Sequence, residues 1–366
     1  MRVIMTGGGT GGHIYPAIAI ADKIVERSYK AEILFVGTRR GLEGELVPSR
    51  GYPIKFIDVQ GLDRRNMFKN VKVLAKYLKA KNRAEDIIEE FDPDVVIGTG
   101  GYVCGPVVNA AAGMGIRCFI QEQNAFPGLT NKMLEKKVEN VFLGFEDAGQ
   151  YFKYPEKHIV TGNPVRSEFF TANKETSRKL LGIPQDDFVL LAFGGSQGAS
   201  RLNRGIMDVI KQYSGKDGIQ VYFATGKNYY EPVISDLEGM GVPLDGNIHV
   251  EQYISDMNTY LSACDLAVCR SGALTVSEIA ISKKASILIP SPNVTGDHQT
   301  YNARALSDKG AAILLPESKL VQDSTSLYKE IEALRIDDAY QEGMAAKCGL
   351  LAPTDATDII YYSLLS

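Results

Sequence analysis

Residues 2–24 read RVIMTGGGTGGHIYPAIAIADKI, and this stretch decides the fold class. A short run rich in β-branched and apolar residues leads into five glycines within residues 7–12, and an apolar pattern with helical spacing follows. A strand, a glycine turn and a helix in that order predict the first unit of a parallel sheet with helical crossovers. The same order returns at residues 189–203, VLLAFGGSQGASRLN, and predicts a second domain of the same kind.

The rest of the chain supports an α/β fold with two domains. Short apolar runs alternate with helical patterns; the runs are RVIMTG, AEILFVG, DVVIGTG and CFIQEQN, then FVLLAFGG, IQVYFATG, IHVEQYI, LAVCRSG and SILIPSP. At 366 residues the chain is long for one hydrophobic core. The Gly-Asn-Pro turn in VTGNPVRSEFF suits a hinge. We therefore expect domains at 1–164 and 165–351, with a helix in 352–366 packing back on the first.

Composition and charge narrow the class of protein. Hydrophobic residues make up 45% and charged residues 23%, as in soluble globular enzymes. With no basic-apolar leader and no run of 18 apolar residues, we expect a cytoplasmic protein. The five cysteines lack CxxC spacing and should be reduced and mostly buried. Residues 1–164 carry +3 (22 Lys and Arg against 19 Asp and Glu) and the remainder −7 (18 against 25), so an anionic surface would attract the first half.

The first glycine turn matches the dinucleotide-binding pattern at Gly7, Gly9 and Gly12. An NAD site also needs an acidic residue at the end of the second strand, and AEILFVGTRR has none there. Arg39 and Arg40 would suit a 2′-phosphate, so a dinucleotide site stays open as an alternative. A P-loop is excluded because no Lys-Ser/Thr pair follows the glycines.

His13 is the candidate catalytic residue of this turn. It follows a backbone that can approach a ligand closely, beside a helix N-terminus that favours negative charge. Ligands of α/β sheets bind at the carboxyl ends of strands, where this turn is expected to lie. A histidine in that place suits general acid–base chemistry.

The second glycine turn, residues 194–198, is interpreted as a pyrophosphate cradle. It offers backbone N–H groups and the hydroxyl of Ser196 at another helix N-terminus, and Arg166 in the hinge would complete the neutralisation of charge. The alternative is that these glycines only make the turn.

A third candidate segment is CRSGALTVSEIAISKKASILIP, residues 269–290. Glu278 would accept hydrogen bonds from both hydroxyls of a ribose, while the backbone N–H groups of Ala273 and Leu274 face phosphate. The same residues also fit a plain helix-capping arrangement. Downstream, Gln299 and Asn302 begin another helix, and their amides suit sugar hydroxyls.

No metal site is expected. Asp92-Pro93-Asp94 resembles the DxD pair that holds a divalent ion in many sugar transferases, but it precedes the strand VVIG. Ligands gather at the other end of such a sheet, so we interpret this pair as a helix-to-strand turn, and Asp186-Asp187 likewise.

A basic and apolar segment occupies residues 61–83, GLDRRNMFKNVKVLAKYLKAKNR. Its basic residues are Arg64, Arg65, Lys69, Lys72, Lys76, Lys79, Lys81 and Arg83. On a helix, four of the lysines share one face, and Met67, Val71, Leu74 and Leu78 share another. Either the segment lies on an anionic membrane, or it is a solvated basic face with its apolar side in the core.

Together these motifs resemble the MurG family of bacterial glycosyltransferases. GGGTGGHIYPA, GTGGYVCGP, EQNAFPGLTNK, TGNPVR, GGSQGA, CRSGALTVSE and DHQTYNA occur in the family's order over nearly the whole chain. The resemblance implies a GT-B fold, two Rossmann-like domains with parallel sheets facing a central cleft. It also implies transfer from UDP-N-acetylglucosamine to lipid I, the undecaprenyl-pyrophosphoryl muramoyl-pentapeptide, with inversion of the anomeric carbon and without a metal or cofactor. The product, lipid II, serves peptidoglycan synthesis.

The resemblance also implies roles for residues and partners. His13 would be the general base, and the acceptor pocket would include Gly100, Gly101 and Tyr102. The donor-binding residues would be Thr10, Gly11, Gly12, Asn124, Arg166, Ser196, Ile254, Ala273, Leu274, Thr275, Val276, Ser277, Glu278 and Gln299. Residues 61–83 would contact an anionic membrane, which places the enzyme peripherally on the cytoplasmic face of the cell membrane. No nucleic-acid partner is expected.

One position departs from the family pattern, which commonly has His-Glu-Gln-Asn where this chain has Gln121-Glu122-Gln123-Asn124. An acid or base role at the first of these positions cannot apply here, although Gln still donates hydrogen bonds. Three other functions stay open: a UDP-N-acetylglucosamine 2-epimerase, a non-catalytic nucleotide-sugar sensor, and an oxidoreductase that binds a nicotinamide cofactor.

Overall fold

The computed structural model describes residues 1–60, 67–244, 246–352 and 355–366, without the side chains of residues 67–73 and 295. By its internal contacts the chain divides into two compact units. Unit 1 comprises residues 1–165 and 353–366, and unit 2 comprises residues 166–352.

Each unit contains one parallel sheet. The strands of unit 1 are β1 (Arg2–Gly7), β2 (Glu32–Gly37), β3 (Ile54–Phe56), β4 (Val95–Gly100), β5 (Arg117–Glu122), β6 (Asn140–Leu143) and β7 (His158–Val160). Those of unit 2 are β8 (Phe188–Phe193), β9 (Ile219–Ala224), β10 (Ile248–Glu251), β11 (Leu266–Cys269), β12 (Ala285–Leu288) and β13 (Ile313–Leu314). The predicted strands are all present, and β3, β6, β7 and β13 are additions.

Helices connect these strands. In chain order they are α1 (Gly11–Arg27), α2 (Glu43–Ser49), α3 (Met67–Phe91), α4 (Cys104–Gly113), α5 (Leu129–Leu134), α6 (Glu168–Thr171), α7 (Lys174–Leu181), α8 (Ser200–Tyr213), α9 (Tyr230–Gly239), α10 (Met257–Ala263), α11 (Ala273–Ile281), α12 (His298–Ser307), α13 (Glu317–Gln322), α14 (Ser326–Arg335), α15 (Asp338–Leu350) and α16 (Ala356–Leu365).

The two sheets share one topology. The strand order is β3-β2-β1-β4-β5-β6-β7 in unit 1 and β10-β9-β8-β11-β12-β13 in unit 2. In each sheet the chain reverses its direction of winding next to the first strand, between β1 and β4 and between β8 and β11. Ligands of doubly wound sheets bind beside such a reversal, at the carboxyl ends of the strands. The expected doubly wound, Rossmann-like α/β fold is therefore confirmed for each unit.

In unit 1 helices cover both faces of the sheet because successive side chains of a strand point to opposite faces. Val3 and Met5 pack with the apolar side of α1, whereas Ile4 packs with residues of α3 and α4. The face on the α1 side also receives Ile360 and Leu364 of α16. Nη2 of Arg27 in α1 donates to both carboxylate oxygens of Asp358 in α16, at 2.9 Å, and Nε donates to one of them at 3.1 Å. The two helices are therefore joined by charge as well as by apolar packing.

Two smaller expectations are also confirmed. Asp92 and Asp94 lie between the end of α3 and the start of β4, where the N–H of Arg2 donates to Asp94 at 2.7 Å, so the pair is a helix-to-strand turn. All five cysteines are buried free thiols, and burial raises the pKa of Cys104 to about 12. They are therefore structural thiols rather than nucleophiles.

Candidate active site

The first glycine turn joins the end of β1 to the start of α1. Gly9 has a φ of 90°, a left-handed conformation that favours glycine. Thr10 is extended and its side chain makes no cap hydrogen bond, and the first helical turn, which starts with Gly11 and Gly12, contains no acid. The N–H of Gly8 donates to the carbonyl oxygen of Gly100 at 3.3 Å, whereas no hydrogen bond of the N–H groups of residues 10–12 occurs among the described residues. These three N–H groups remain available to an anionic ligand.

A buried carboxylate that the sequence did not indicate holds this turn. Glu43, at the start of α2, is fully buried. Its Oε2 accepts from the N–H of Gly9 at 3.0 Å, and its Oε1 accepts from the N–H and hydroxyl of Thr38 at 2.8 and 2.7 Å. A Cβ at Gly8 would lie 2.5 Å from Oε1, so glycine there leaves the space that the carboxylate fills.

His13 lies in the first turn of α1 and is half-buried. Its Nδ1 is 3.1 Å from the carbonyl oxygen of Thr99 and 2.9 Å from Oε1 of Gln123. Nδ1 thus faces two acceptors, while no hydrogen bond of Nε2 occurs among the residues that the structure describes. The ring is anchored by one nitrogen, and the other is available to a substrate.

The turn after β4 approaches the same place. Gly100 and Gly101 have φ of 114° and 84°, and a Cβ on Gly100 would lie 2.6 Å from Nδ1 of His13. Only glycine fits the conformation and the space at Gly100. The family resemblance implies that these glycines belong to the acceptor pocket, and the structure shows that Gly100 also leaves space for the imidazole of His13. Tyr102 follows with 64% of its surface exposed.

The segment after β5 is held by a second buried carboxylate. Glu122 accepts through Oε1 from the backbone N–H and side-chain amide of Asn124, at 3.0 and 3.1 Å. Through Oε2 it accepts from Gly128 and Asn131, both at 2.9 Å. Asn124, predicted to reach the sugar, is therefore oriented by Glu122. Gln121, at the position where the family pattern has His, is fully buried.

Unit 2 contains a cavity of about 540 Å³ beside the residues that follow β8, β11 and β12. Its lining includes the predicted residues Thr275 and Gln299 and the glycines of the second turn. Gly195 and Gly198 have φ of 89° and 80°, so this turn too needs glycine. The helix behind it, α8, starts after Ala199 without a side-chain cap. The cavity therefore combines free helix N–H groups with polar side chains.

An ion-pair cluster that the sequence did not single out lines the same cavity. Arg270 and Arg201 both contact the buried carboxylate of Glu317, and the Arg201 pair is 3.3 Å long. Arg270 also donates to the carbonyl oxygens of Ile289 and Pro290, at 3.1 and 3.0 Å. Two cations and one anion leave a net positive charge beside the second glycine turn, which favours a phosphate ligand.

Glu278 lies one turn into α11. No described side chain forms an ion pair or hydrogen bond with its carboxyl group. Burial raises the pKa of Glu278 to about 7, and the positive charge of Arg166 opposes that rise. A largely buried acid without a protein partner is suited to accept hydrogen bonds from ligand hydroxyls.

The other predicted residues of unit 2 differ in exposure. The side chains of Ile254, Ala273, Val276 and Ser277 are buried, so a ligand would meet their backbone, whereas Leu274 is partly exposed and Ser196 is exposed. Gln299 accepts at Oε1 from the N–H of Ser291 at 2.8 Å, and it lines the cavity.

No group of three or more possible metal ligands occurs among the described side chains. The residues missed from the sequence, namely Glu43, Gln123, Arg201, Arg270 and Glu317, act through partners far along the chain. The sequence contains no signal for them, because the burial of an acid such as Glu43 becomes visible only in the fold.

The basic segment is described only in part. The side chains of Arg64, Arg65, Met67, Lys69, Val71 and Lys72 lie outside the described residues. Leu74 and Leu78 on α3 are 59% and 54% exposed, so the apolar side is not in the core at these two positions. No helix in the described part of the chain is long and apolar enough to span a membrane.

Comparison with known proteins places the chain in a family. The model of the glycosyltransferase family 28 N-terminal domain matches residues 3–143, and that of the family 28 C-terminal domain matches residues 189–359. The chain therefore belongs to glycosyltransferase family 28.

Individual relatives show which members of the family the chain is similar to. The UDP-N-acetylglucosamine--N-acetylmuramyl-(pentapeptide) pyrophosphoryl-undecaprenol N-acetylglucosamine transferase of Alkaliphilus metalliredigens is 43% identical, over 100% of this chain and 99% of the relative. The crystal structure of Acinetobacter baumannii MurG is 29% identical with a TM-score of 0.79, covering 100% of this chain and 99% of that one. UDP-GlcNAc 2-epimerase from Neisseria meningitidis shares the fold, with a TM-score of 0.69 at 15% identity and full coverage of both chains.

Proposed function

We propose that this chain transfers N-acetylglucosamine from UDP-N-acetylglucosamine to lipid I, giving lipid II for peptidoglycan synthesis. The observation that carries this assignment is the 43% identity, over essentially both full lengths, to a transferase named for that reaction. The epimerase is only 15% identical and shares the fold alone, so the comparison does not support an epimerase activity for this chain to the same degree.

Unit 2 is proposed to bind the donor. The positively charged cavity beside residues 194–198 would hold the pyrophosphate, with Arg166 and Ser196 adding to the neutralisation. Glu278 would accept from the ribose hydroxyls, and the backbone near Ile254 would meet the uracil. The free amide group of Gln299 would donate to the sugar. These groups can stabilise the negative charge that develops on UDP as it departs.

Unit 1 is proposed to bind the acceptor and to supply the base. Gly100, Gly101 and Tyr102 would form part of the acceptor pocket. His13 Nε2 would take the proton from the acceptor hydroxyl as that oxygen attacks the anomeric carbon in line with the departing UDP. One displacement of this kind inverts the anomeric carbon. The residues at Thr10–Gly12 and Asn124 would contact the sugar or its phosphates.

The exposed apolar residues of α3 are proposed to contact an anionic membrane on its cytoplasmic face. Leu74 and Leu78 lie exposed on a helix that also carries Lys79. Apolar side chains can enter the interface while lysines meet anionic headgroups, each worth about 1 kcal/mol near the surface. A lipid-linked acceptor makes such an attachment useful. Nucleic acid has no place in this reaction.

The test is transfer of labelled N-acetylglucosamine from its UDP donor to a short-chain lipid I analogue, with excess EDTA. A β-linked disaccharide product is expected. Epimerisation of the donor without acceptor would instead support a 2-epimerase. UDP binding without turnover would support a sensor, and loss of transfer in EDTA would contradict a metal-independent reaction.

The role of His13 is tested by His13→Ala. Turnover should fall by roughly 100- to 10,000-fold, the usual contribution of a general base. Donor binding, measured by calorimetry with UDP, should change little because the residues proposed to hold the uracil, the ribose and the pyrophosphate belong to unit 2. Near-normal turnover in this variant would rule the base role out.

A further inference from the structure

We propose that Gln123, held in orientation by Gln121 and Asn163, fixes the tautomer of His13 so that Nε2 carries the free lone pair. The inference rests on the proposed role of His13 as base and adds a positioning residue to it. A neutral imidazole is a base only at the nitrogen without a proton, so the tautomer decides which nitrogen can act.

The hydrogen bonds at Nδ1 indicate where the proton lies. The carbonyl oxygen of Thr99, 3.1 Å from Nδ1, can only accept. Gln123 Oε1, 2.9 Å away, also accepts if its amide is oriented as in the structure. Nδ1 must then carry the hydrogen, and Nε2 keeps its lone pair.

The orientation of the Gln123 amide follows from the hydrogen-bond acceptors that surround it. Its Nε2 lies 2.7 Å from the carbonyl oxygen of Thr99 and 3.2 Å from that of Gln121. A flipped amide would place its oxygen against both of these acceptors, so the carbonyl oxygen of Thr99 would lose the hydrogen bond from Gln123 and that of Gln121 would keep only the bond from Asn131, at 3.3 Å. An unmatched buried polar group costs about 1–3 kcal/mol, so the flip is disfavoured.

Two further amides fix the same direction. Asn163 donates from Nδ2 to the backbone oxygen of Gln123 at 3.0 Å, which leaves its Oδ1 to accept from Gln121 Nε2 at 3.1 Å. Gln121 also donates to the carbonyl oxygen of Glu122, at 3.2 Å, so its Oε1 is left to accept from Gln123 Nε2. We call His13, Gln123, Gln121 and Asn163 the amide relay. Along it each side chain donates to the next in that order, and Asn163 donates to the backbone oxygen of Gln123.

Burial makes the relay stiff and independent of pH. Gln121, Gln123 and Asn163 are at most 2% exposed, so water does not compete for their hydrogen bonds. None of the three side chains titrates. The relay therefore holds His13 in one tautomer wherever the imidazole is neutral. Gln121 contributes one donor, to Asn163, and one acceptor, for Gln123.

The test begins with the wild-type protein, labelled with ¹⁵N-histidine, by NMR above pH 8. The chain has only four histidines, and a His13→Asn variant assigns the signals of His13. The Nδ1–H tautomer is expected for His13. The Nε2–H tautomer would overturn the proposal, and this measurement needs no destabilised variant.

Gln123→Met then removes the amide at similar length and volume. His13 is expected to populate both tautomers, and kcat should fall about tenfold or more, a part of what a general base contributes, with KM for the donor unchanged. Gln150→Leu, which replaces an exposed glutamine, is the matched control and should alter neither.

A Gln123→Met variant in which His13 keeps the Nδ1–H tautomer and kcat stays at the wild-type value would overturn the proposal. The carbonyl oxygen of Thr99 would then be enough to fix the tautomer without Gln123. Absence of transfer by the wild-type protein would instead refute the proposed function. The two failures are distinguishable because the NMR signals report the tautomer without any turnover.

Discussion

Replacing Glu278 with Gln should make the protein more stable while weakening its binding of UDP. Glu278 is partly buried in unit 2, and its pKa rises from 4.5 to about 7 because burial disfavours the charged form. Above pH 7 the folded protein must hold this charge in a partly buried place, where no described side chain forms an ion pair with it. A glutamine has the same shape and no charge, so the variant avoids that cost.

The sign and size of the effect follow from proton linkage. Between pH 4.5 and about 7 the unfolded chain has released the proton that the folded chain keeps, so the free energy of unfolding of the wild type falls as pH rises through this window. Each pH unit between 4.5 and about 7 costs about 1.36 kcal/mol, so the free energy of unfolding of Glu278→Gln should exceed that of the wild type by about 3 kcal/mol at pH 8. The two proteins should be equally stable near pH 4.

Binding should change in the opposite direction. The proposed ribose contacts need the carboxylate, so the wild-type affinity for UDP should fall up to tenfold per pH unit below pH 7. In Glu278→Gln the affinity should be about ten- to a hundredfold lower at pH 8, since hydrogen bonds to a charged group are worth about 1.5–3 kcal/mol. It should also lose this dependence on pH.

Urea unfolding and calorimetric titration with UDP, each from pH 4.5 to 8.5, measure the two effects. Glu342→Gln, an exposed glutamate of the same unit, is the control and should change neither quantity. If Glu278→Gln is no more stable than the wild type at pH 8 and binds UDP as tightly, the charge of Glu278 does not destabilise the fold and its carboxylate does not bind the ribose.

Three other variants test the remaining features. Gly100→Ala should displace His13 and lower kcat at least tenfold, because a Cβ would meet its ring and a φ of 114° strains any other residue, whereas Gly113→Ala, which has open space, should not. Glu43→Gln should lower the free energy of unfolding in urea by about 2–3 kcal/mol, since an NH₂ group would face the donors that now bind the carboxylate; an equal loss in the exposed Glu45→Gln would contradict this. Leu74→Ser with Leu78→Ser should reduce sedimentation with phosphatidylglycerol vesicles about tenfold or more, and Leu180→Ser should not, although it is 74% exposed.

The sheet was readable from the sequence because its central strands are long apolar runs that end in glycine turns. The strands missed there have two to four residues and little pattern of their own, and they pair because the neighbouring strands provide an edge. A long apolar run indicates a strand by its own residues, whereas a short strand forms because a neighbouring strand offers it hydrogen bonds.

The candidate site divides in the same way. His13 and Glu278 were recognisable because each sits at a fixed distance from a strand end. Glu43 was not, since its partner Gly9 is 34 residues away and meets it only after β1 and β2 have paired. Which side of α3 is exposed also depended on the fold, because two apolar residues one turn apart look the same in a core and on a surface.

The position of α16 has a consequence for how the protein is made. Its residues Ile360 and Leu364 complete the apolar layer between α1 and the first sheet, although they come after the whole of unit 2 in the chain. At synthesis rates of about 5–20 residues per second, the N-terminal layer waits roughly ten seconds or more for this helix after its own strands have emerged. Unit 2 is continuous in sequence and has no such delay. The first unit therefore completes its apolar layer only after all of unit 2 has been synthesised, and until then the side of α1 that α16 covers stays exposed.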